Sequence, residues 1–122
     1  MKEYEMAEVT IWHNPRCSKS RAAAQLLEAK GVEAEVVKYL ETPPSKEEIK
    51  AVLKMLGISA RELMRTKEDI YKELGLKDVE DEEKLIEAMA EYPKLIERPV
   101  VINDGKAAIG RPIEKIIELI DA

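Results

Sequence analysis

Residues 9–40, VTIWHNPRCSKSRAAAQLLEAKGVEAEVVKYL, decide the fold. The stretch opens on β-branched and aromatic residues, which predict a buried strand at 8–12. A helix is expected next, capped by Ser18 or a neighbour and ending before Gly31. Residues 35–40 predict a second strand. A strand–helix–strand unit of this length implies a right-handed crossover and parallel pairing.

The middle of the chain, about residues 45–91, carries helical signals and no strand pattern. Ser45 with Glu48 and Ser59 with Glu62 form two capping boxes that predict helix starts. The second of these helices is expected to carry residues 63–65. Apolar residues follow at helical spacing, so this part of the chain is predicted to be a helical insertion.

The strand signal returns at residues 100–102, after Pro99. Asn103-Asp104-Gly105 predicts a hairpin turn into a further strand at 106–109. A last helix is expected to open at Arg111-Pro112, with Pro112 near its first position. That helix has one apolar face, made by Ile113, Ile116, Ile117 and Ile120.

The order of elements is therefore β-α-β, a helical insertion, then β-β-α. This is an α/β arrangement with a mixed four-stranded sheet, and it is that of the thioredoxin-like fold. We predict a single domain over 1–122 with the helical insertion at about 45–91, because neither strand pair has enough partners alone.

Composition excludes several classes of protein. Of the 122 residues, 45% are apolar and 37% charged, which is typical of a folded globular domain. The net charge of −5 argues against nucleic-acid binding, which needs a basic face. No apolar run approaches the roughly 20 residues of a membrane span, and the acidic N-terminus does not resemble a signal peptide. We therefore expect a cytoplasmic protein with no membrane partner.

The only cysteine, Cys17, and the only histidine, His13, lie between the first strand and the first helix. One cysteine and one histidine are too few for a Cys/His metal site, so no bound metal is expected. A thiol at a helix N-terminus lies where N–H groups favour an anion. We expect Arg16, Lys19 and Arg21 to favour the reactive thiolate as well.

The chain resembles the glutaredoxin-linked arsenate reductase family over nearly its whole length. The resemblance rests on five blocks in the family's order: His13-Asn14-Pro15-Arg16-Cys17-Ser18-Lys19-Ser20-Arg21, Tyr39-Leu40-Glu41-Thr42-Pro43-Pro44, Arg61-Glu62-Leu63-Met64-Arg65, Glu97-Arg98-Pro99-Val100-Val101 and Ile109-Gly110-Arg111-Pro112. After the cysteine, the best-studied members have Gly-Thr-Ser where this chain has Ser18-Lys19-Ser20. That form resembles a sub-branch named as arsenate reductase by similarity.

The resemblance implies an enzyme in which Cys17 attacks arsenate, His13 helps to lower the thiol pKa and Ser20 hydrogen-bonds the thiolate. It implies that three arginines bind the oxyanion, namely Arg65, Arg98 and Arg111, and that Pro99 is the cis-proline of thioredoxin-like folds. It also implies that glutathione is the co-substrate and glutaredoxin a partner, with no bound cofactor. A chain with one cysteine needs such an outside thiol to resolve the Cys17 adduct.

Two other functions remain open from the sequence. A monothiol glutaredoxin-like oxidoreductase would remove glutathione from protein mixed disulfides, and a Cys-X-X-Ser setting permits this. An Spx-like regulatory protein would use the same fold to bind RNA polymerase, but those regulators usually carry Cys-X-X-Cys, and the second position here is Ser20.

Overall fold

The computed structural model describes residues 9–111 and 113–121. The acidic N-terminal segment, which includes Glu8, and the predicted helix-opening Pro112 lie outside the described residues. The chain divides into two compact units, one made of the residues up to Tyr39 and from Arg98 onward and the other of Leu40–Glu97. The second unit contains the predicted helical insertion. A single domain over 1–122 stays a prediction.

The first unit contains the sheet. Its strands are β1 (Val9–Trp12), β2 (Ala34–Val37), β3 (Val100–Asn103) and β4 (Lys106–Ile109), in the order β2-β1-β3-β4. β1 pairs in parallel with β2, and antiparallel pairing joins β1 to β3 and β3 to β4. This confirms the predicted mixed four-stranded sheet. The register places Trp12 opposite Val100, and Val100 opposite Ile109, so three chain segments meet at one end of the sheet.

The second strand is shorter than predicted. β2 ends at Val37 because its partner β1 ends at Trp12, the residue paired with Val37. Residues 38–40 therefore have no strand to pair with, and 39 and 40 lie in a turn where Tyr39 is buried.

Helices α1 (Ser18–Ala29) and α6 (Glu114–Asp121) complete the first unit. Its core is a cluster of buried apolar side chains that includes Ile11, Ala23, Leu27, Val101 and Ile116. The prediction that Ser18 or a neighbour caps α1 is confirmed for the neighbour. Ser18 is already helical, and the N-cap is the neighbouring residue Cys17, whose extended backbone accepts the Arg21 N–H at 2.9 Å.

The second unit is built from four α-helices and two 3-10 helices. The α-helices are α2 (Lys46–Leu56), α3 (Ala60–Leu63), α4 (Asp69–Glu73) and α5 (Glu82–Glu91), and the 3-10 helices are Leu76–Asp78 and Pro93–Leu95. The Ser45–Glu48 capping box is confirmed, since each residue's side chain bonds the other's backbone N–H. The Glu62 carboxylate likewise accepts the Ser59 N–H at 2.9 Å.

The predicted helix over residues 63–65 is wrong beyond Leu63. Met64 forms an isolated antiparallel bridge with Ile96, and the Arg65 N–H donates to the Leu95 carbonyl at 2.7 Å. These pairings hold Met64 and Arg65 against the segment at 95–96, so the helix cannot continue through them.

The predicted hairpin between β3 and β4 is confirmed. Asp104 and Gly105 have φ values of 49° and 80°, so both are left-handed, as a two-residue type I′ turn requires. Asn103 belongs to β3 rather than to the turn. Across residues 9–111 and 113–121, no helix combines the length and apolarity that crossing a membrane requires.

Candidate active site

Cys17 lies at the end of a five-residue loop, 13–17, that joins β1 to α1. Two backbone hydrogen bonds shape this loop: His13 N–H to the Val37 carbonyl at 2.8 Å, and Cys17 N–H to the Asn14 carbonyl at 3.0 Å. The thiol is 8% exposed. The loop therefore presents a nearly buried sulfur at the N-terminus of a helix.

The Ser20 side chain is fully buried and holds the start of this loop. Its Oγ lies 2.7 Å from His13 Nδ1 and accepts the Asn14 backbone N–H at 2.9 Å. The resemblance implies a bond from this hydroxyl to the thiolate, but within the described part of the chain the Ser20 hydroxyl bonds His13 and Asn14 instead. Ser20 affects the sulfur through its backbone N–H, as the pKa of Cys17 shows.

Opposing effects set the pKa of the Cys17 thiol. Burial raises it, but the backbone N–H of Ser20, the charge of Arg98 and the backbone N–H of Lys19 lower it, and the pKa lies below the ordinary value. A hydrogen bond from the Arg98 side chain lowers it further. The thiol is therefore poised to form the nucleophilic thiolate.

The expected positive charge from the side chains of Arg16, Lys19 and Arg21 stays a prediction. The side chain whose charge lowers the Cys17 pKa is that of Arg98. Arg21 instead donates from Nη1 to the Pro15 carbonyl at 2.9 Å. The helix N-terminus does contribute, through the backbone N–H groups of Lys19 and Ser20.

Arg111 is the second guanidinium at the sulfur. Its Nη2 lies 3.6 Å from Cys17 Sγ, and its Nε donates to the Arg98 carbonyl at 2.7 Å. The strand register explains this meeting, because Arg98 lies two residues before Val100 and Arg111 two residues after Ile109. The structure thus brings Arg98, Arg111 and Cys17 together as the sequence predicts.

Pro99 and Gly110 hold these two arginines in place. The Arg98–Pro99 peptide bond is cis, as the resemblance implies, and Pro99 is buried. The Gly110 N–H donates to the Pro99 carbonyl at 2.9 Å. A Cβ on Gly110 would lie 2.9 Å from Pro99 Cγ and 2.6 Å from Ile116 Cδ1, closer than real side chains pack. Only glycine allows this approach without a shift in the neighbours.

His13 is less favourable to the thiolate than the resemblance implies. Burial lowers its pKa, and the charges of Lys38 and Arg21 lower it further. This shift favours the uncharged imidazole and so works against a positive charge from His13 at the sulfur. Its contact is with the Ser20 hydroxyl, so it supports the loop that carries Cys17.

Arg65 belongs to the other unit, Leu40–Glu97, and is described within it. Its Nη1 lies 2.5 Å from a Glu68 carboxylate oxygen and its Nε 3.9 Å from one of Glu97. Glu68 also pairs with Lys94 at 3.5 Å. Two carboxylates thus orient the Arg65 guanidinium, and its part in oxyanion binding stays a prediction.

Sequence reasoning gave Asn14 and Gly110 no role. Asn14 organises the loop three times over: its carbonyl accepts the Cys17 N–H, its N–H donates to Ser20, and its Oδ1 accepts the Arg16 N–H at 3.0 Å. The Asn-Pro pair is a turn signal that could have found it. Nothing local marks Gly110, whose constraint comes from distant side chains.

Among the described residues, no three His, Cys, Asp or Glu side chains are grouped as metal ligands.

Known proteins resemble this chain over most of its length. The arsenate reductase of Neisseria meningitidis serogroup A is 57% identical over 113 residues, which are 91% of this chain and 97% of that protein. The uncharacterised protein YfgD of Escherichia coli K12 is also 57% identical, over 93% of this chain and 97% of its own. A solved structure of an arsenate reductase from Vibrio cholerae has 52% identity and a TM-score of 0.88, and the match covers 90% of this chain and 95% of that one.

The structural match confirms the thioredoxin-like fold predicted from the element order. Residues 12–119 match the ArsC family, a range that includes Cys17, both arginines beside it and nearly every described element. The chain belongs to the ArsC family.

Proposed function

We propose that this protein reduces arsenate to arsenite, with Cys17 as the nucleophile and glutathione and glutaredoxin as the source of electrons. The observation that carries the proposal is that Arg98 and Arg111 both act on the Cys17 sulfur. A thiolate beside two guanidinium groups offers a nucleophile and planar donors for the oxygens of an incoming oxyanion. The relatives named arsenate reductase support the same reaction.

In the first step, the Cys17 thiolate attacks arsenic and forms a sulfur–arsenic bond, while one arsenate oxygen takes protons from arsenate and solvent and leaves as water. Arg98 and Arg111 hold the remaining oxygens and the negative charge that develops on them. In the second step, a glutathione thiolate attacks the sulfur of Cys17 and the sulfur–arsenic bond breaks. Two thiols thereby give two electrons to arsenic, which leaves as arsenite, and a Cys17–glutathione disulfide remains.

Glutaredoxin then removes glutathione from Cys17 by thiol–disulfide exchange, which restores the thiolate. The chain has no second cysteine that could do this within the molecule. Arg65 is proposed as a third oxyanion ligand, on the resemblance alone. The cytoplasmic location expected from the sequence remains a proposal, and it fits a reaction that uses reduced glutathione.

The test follows arsenate-dependent NADPH oxidation coupled through glutathione, glutaredoxin and glutathione reductase. The wild-type protein should oxidise NADPH with arsenate and not with sulfate, and Cys17→Ser should lower this rate at least a hundredfold. A parallel assay with a glutathionylated peptide separates the monothiol oxidoreductase. Activity on that peptide with none on arsenate, or arsenate activity that survives in Cys17→Ser, would overturn the proposal.

A further inference from the structure

Four exposed basic residues lie in the loop that carries the thiol or in the segments next to it, and the proposed chemistry leaves their side chains unused. We call them the cationic rim: Arg16, Lys19, Arg21 and Lys38. Arg16 comes immediately before Cys17 in the chain and Lys19 two residues after it. The backbones of these two residues therefore flank Cys17, whose own side chain is nearly buried.

The other two rim residues are placed by contacts with the loop. Arg21 reaches back from α1 so that its Nη1 donates to the Pro15 carbonyl at 2.9 Å. Lys38 follows Val37, whose carbonyl accepts the His13 N–H at 2.8 Å. The charges of both Arg21 and Lys38 lower the pKa of His13, in keeping with these contacts at the start of the loop.

The rim is not neutralised by acidic side chains. Within residues 9–111 and 113–121, none of its four members forms an ion pair. Some lysines elsewhere are paired: Lys46 and Lys50 with Glu83 at 3.3 and 2.9 Å, and Lys94 with Glu68 at 3.5 Å. In a chain of net charge −5, the rim keeps four cations without an acidic partner close to the nucleophile in the chain.

The rim is also separate from the groups that act on the sulfur. Arg98 and Arg111 make the side-chain contacts with Cys17, and the rim side chains make none. Once arsenate is bound to the sulfur, the guanidinium groups of Arg98 and Arg111 balance its negative charge. The outer cations are suited to a second anion that approaches the sulfur from solvent.

We propose that the cationic rim binds the carboxylates of glutathione as its thiol or disulfide reaches Cys17. This inference rests on the proposed function for its biological meaning. In that reaction, glutathione is the thiol that breaks the sulfur–arsenic bond of the Cys17 adduct. Glutathione has two carboxylates and one ammonium group, so it is a net anion. Exposed cations near Cys17 increase the local concentration of glutathione and with it the rate at which glutathione reacts with Cys17.

The experiment isolates this step from arsenate. The reduced protein is mixed with oxidised glutathione, and mass spectrometry follows formation of the Cys17–glutathione disulfide. In this exchange the Cys17 thiolate attacks one sulfur of the disulfide, and one glutathione thiolate leaves. The same measurement is made with 2-hydroxyethyl disulfide, which carries no charge. The ratio of the two rates cancels any change in the reactivity of Cys17 itself.

The variant combines Arg16→Gln, Lys19→Gln and Lys38→Gln. Arg21 is kept, because its side chain holds the Pro15 carbonyl. An exposed charge pair changes binding by about twofold, so loss of three cations should lower the ratio by about tenfold. High salt should lower the wild-type ratio as well, since the Debye length falls from about 10 Å at 0.1 M to about 3 Å at 1 M.

The matched control is Lys106→Gln. Lys106 pairs with Asn103, which pairs with Val9, so it lies at the end of the sheet opposite to the loop. The control should leave the ratio unchanged. A wild-type ratio in the triple variant, or an equal fall in the control, would overturn the rim's role. Neither measurement uses arsenate, so absence of arsenate reduction would refute the proposed function without deciding this one.

Discussion

Arg111 Nη2 lies 3.6 Å from Cys17 Sγ, although 94 residues separate the two in the chain. The same guanidinium donates from Nε to the Arg98 carbonyl at 2.7 Å, so it is fixed in two directions. A fixed cation at this distance favours the thiolate over the thiol. The consequences of this arrangement can be measured directly.

Replacing Arg111 by glutamine should raise the pKa of Cys17 and lower arsenate turnover at least tenfold. The thiolate fraction rises with pH through the pKa, so alkylation by uncharged iodoacetamide should have its midpoint below the ordinary cysteine value in the wild type and higher in the variant. Lys106→Gln is the control, because Lys106 lies at the end of the sheet opposite to the loop. Identical pH profiles for wild type and Arg111→Gln would contradict this interpretation.

Ser20→Ala tests whether the buried hydroxyl supports the loop or the thiolate. The change leaves the Asn14 N–H and His13 Nδ1 without their partner, which should destabilise the fold by about 1–3 kcal/mol in urea unfolding. The pKa of Cys17 should rise only slightly, because the Ser20 backbone N–H remains. Ser18→Ala, at an exposed position, should change stability little. A large pKa increase with no loss of stability would restore the role implied by the resemblance.

His13 should titrate below the ordinary histidine pKa of about 6.5, which NMR can follow without assignment because it is the only histidine. Lys38→Gln should raise its pKa by removing a nearby positive charge, whereas Lys106→Gln should not. Since the folded form binds the proton less well than the unfolded chain, His13's contribution to stability should be lost as pH falls below about 6.5. A pKa that does not respond to Lys38→Gln would show that Lys38 is farther from the loop.

Gly110→Ala should destabilise the protein by about 1–3 kcal/mol, because the new Cβ meets Pro99 Cγ and Ile116 Cδ1. Adding Ile116→Val removes the Cδ1 atom and should recover part of the loss. Turnover should fall as well, since Arg111 follows Gly110 directly. Gly57→Ala is the control: it meets no atom within 4 Å but has φ of 68°, so it should reduce stability while leaving turnover intact. Additive effects of Gly110→Ala and Ile116→Val would argue against the clash.

Arg65→Gln should raise the KM for arsenate several-fold if this residue binds the oxyanion as proposed. Its ion pairs are partly exposed, so the free energy of unfolding should change by less than about 1 kcal/mol. Lys94→Gln removes a neighbouring cation that also pairs with Glu68 and serves as the control. An unchanged KM in Arg65→Gln would show that Arg65 does not bind arsenate.

Local patterns predicted the secondary structure well where the physics is local. The Ser45–Glu48 capping box and the Asp104-Gly105 turn depend only on neighbouring residues, and both are confirmed. The helix that was expected to include Met64 and Arg65 instead ends at Leu63. Met64 forms a β-bridge with Ile96, some thirty residues away, and this pairing ends the helix despite the helical propensity of the local sequence.

In the site, too, features that depend on neighbouring residues were predictable and those that depend on distant residues were not. Arg16, Lys19 and Arg21 are near Cys17 in sequence, but closeness in the chain does not determine where a long side chain points. Arg98 and Arg111 reach the sulfur because the sheet register sets Val100 beside Trp12 and Ile109 beside Val100. The resemblance indicated these two residues, and no local pattern could have done so. The resemblance pairs the Ser20 hydroxyl with the thiolate, whereas its contacts in the structure are with His13 and Asn14 and depend on the path of the loop.

Cys17 is at once the nucleophile and the N-cap of α1, so each chemical state of the sulfur has its own folding stability. A thiol whose pKa is lowered by folding stabilises the folded form increasingly as pH rises through that pKa. An arsenic adduct or a glutathione disulfide removes the thiolate charge from the sulfur and with it this gain. The reduced protein should therefore be the most heat-stable member of its own cycle above neutral pH. Covalent capture of substrate thus costs folding stability that release of Cys17 returns.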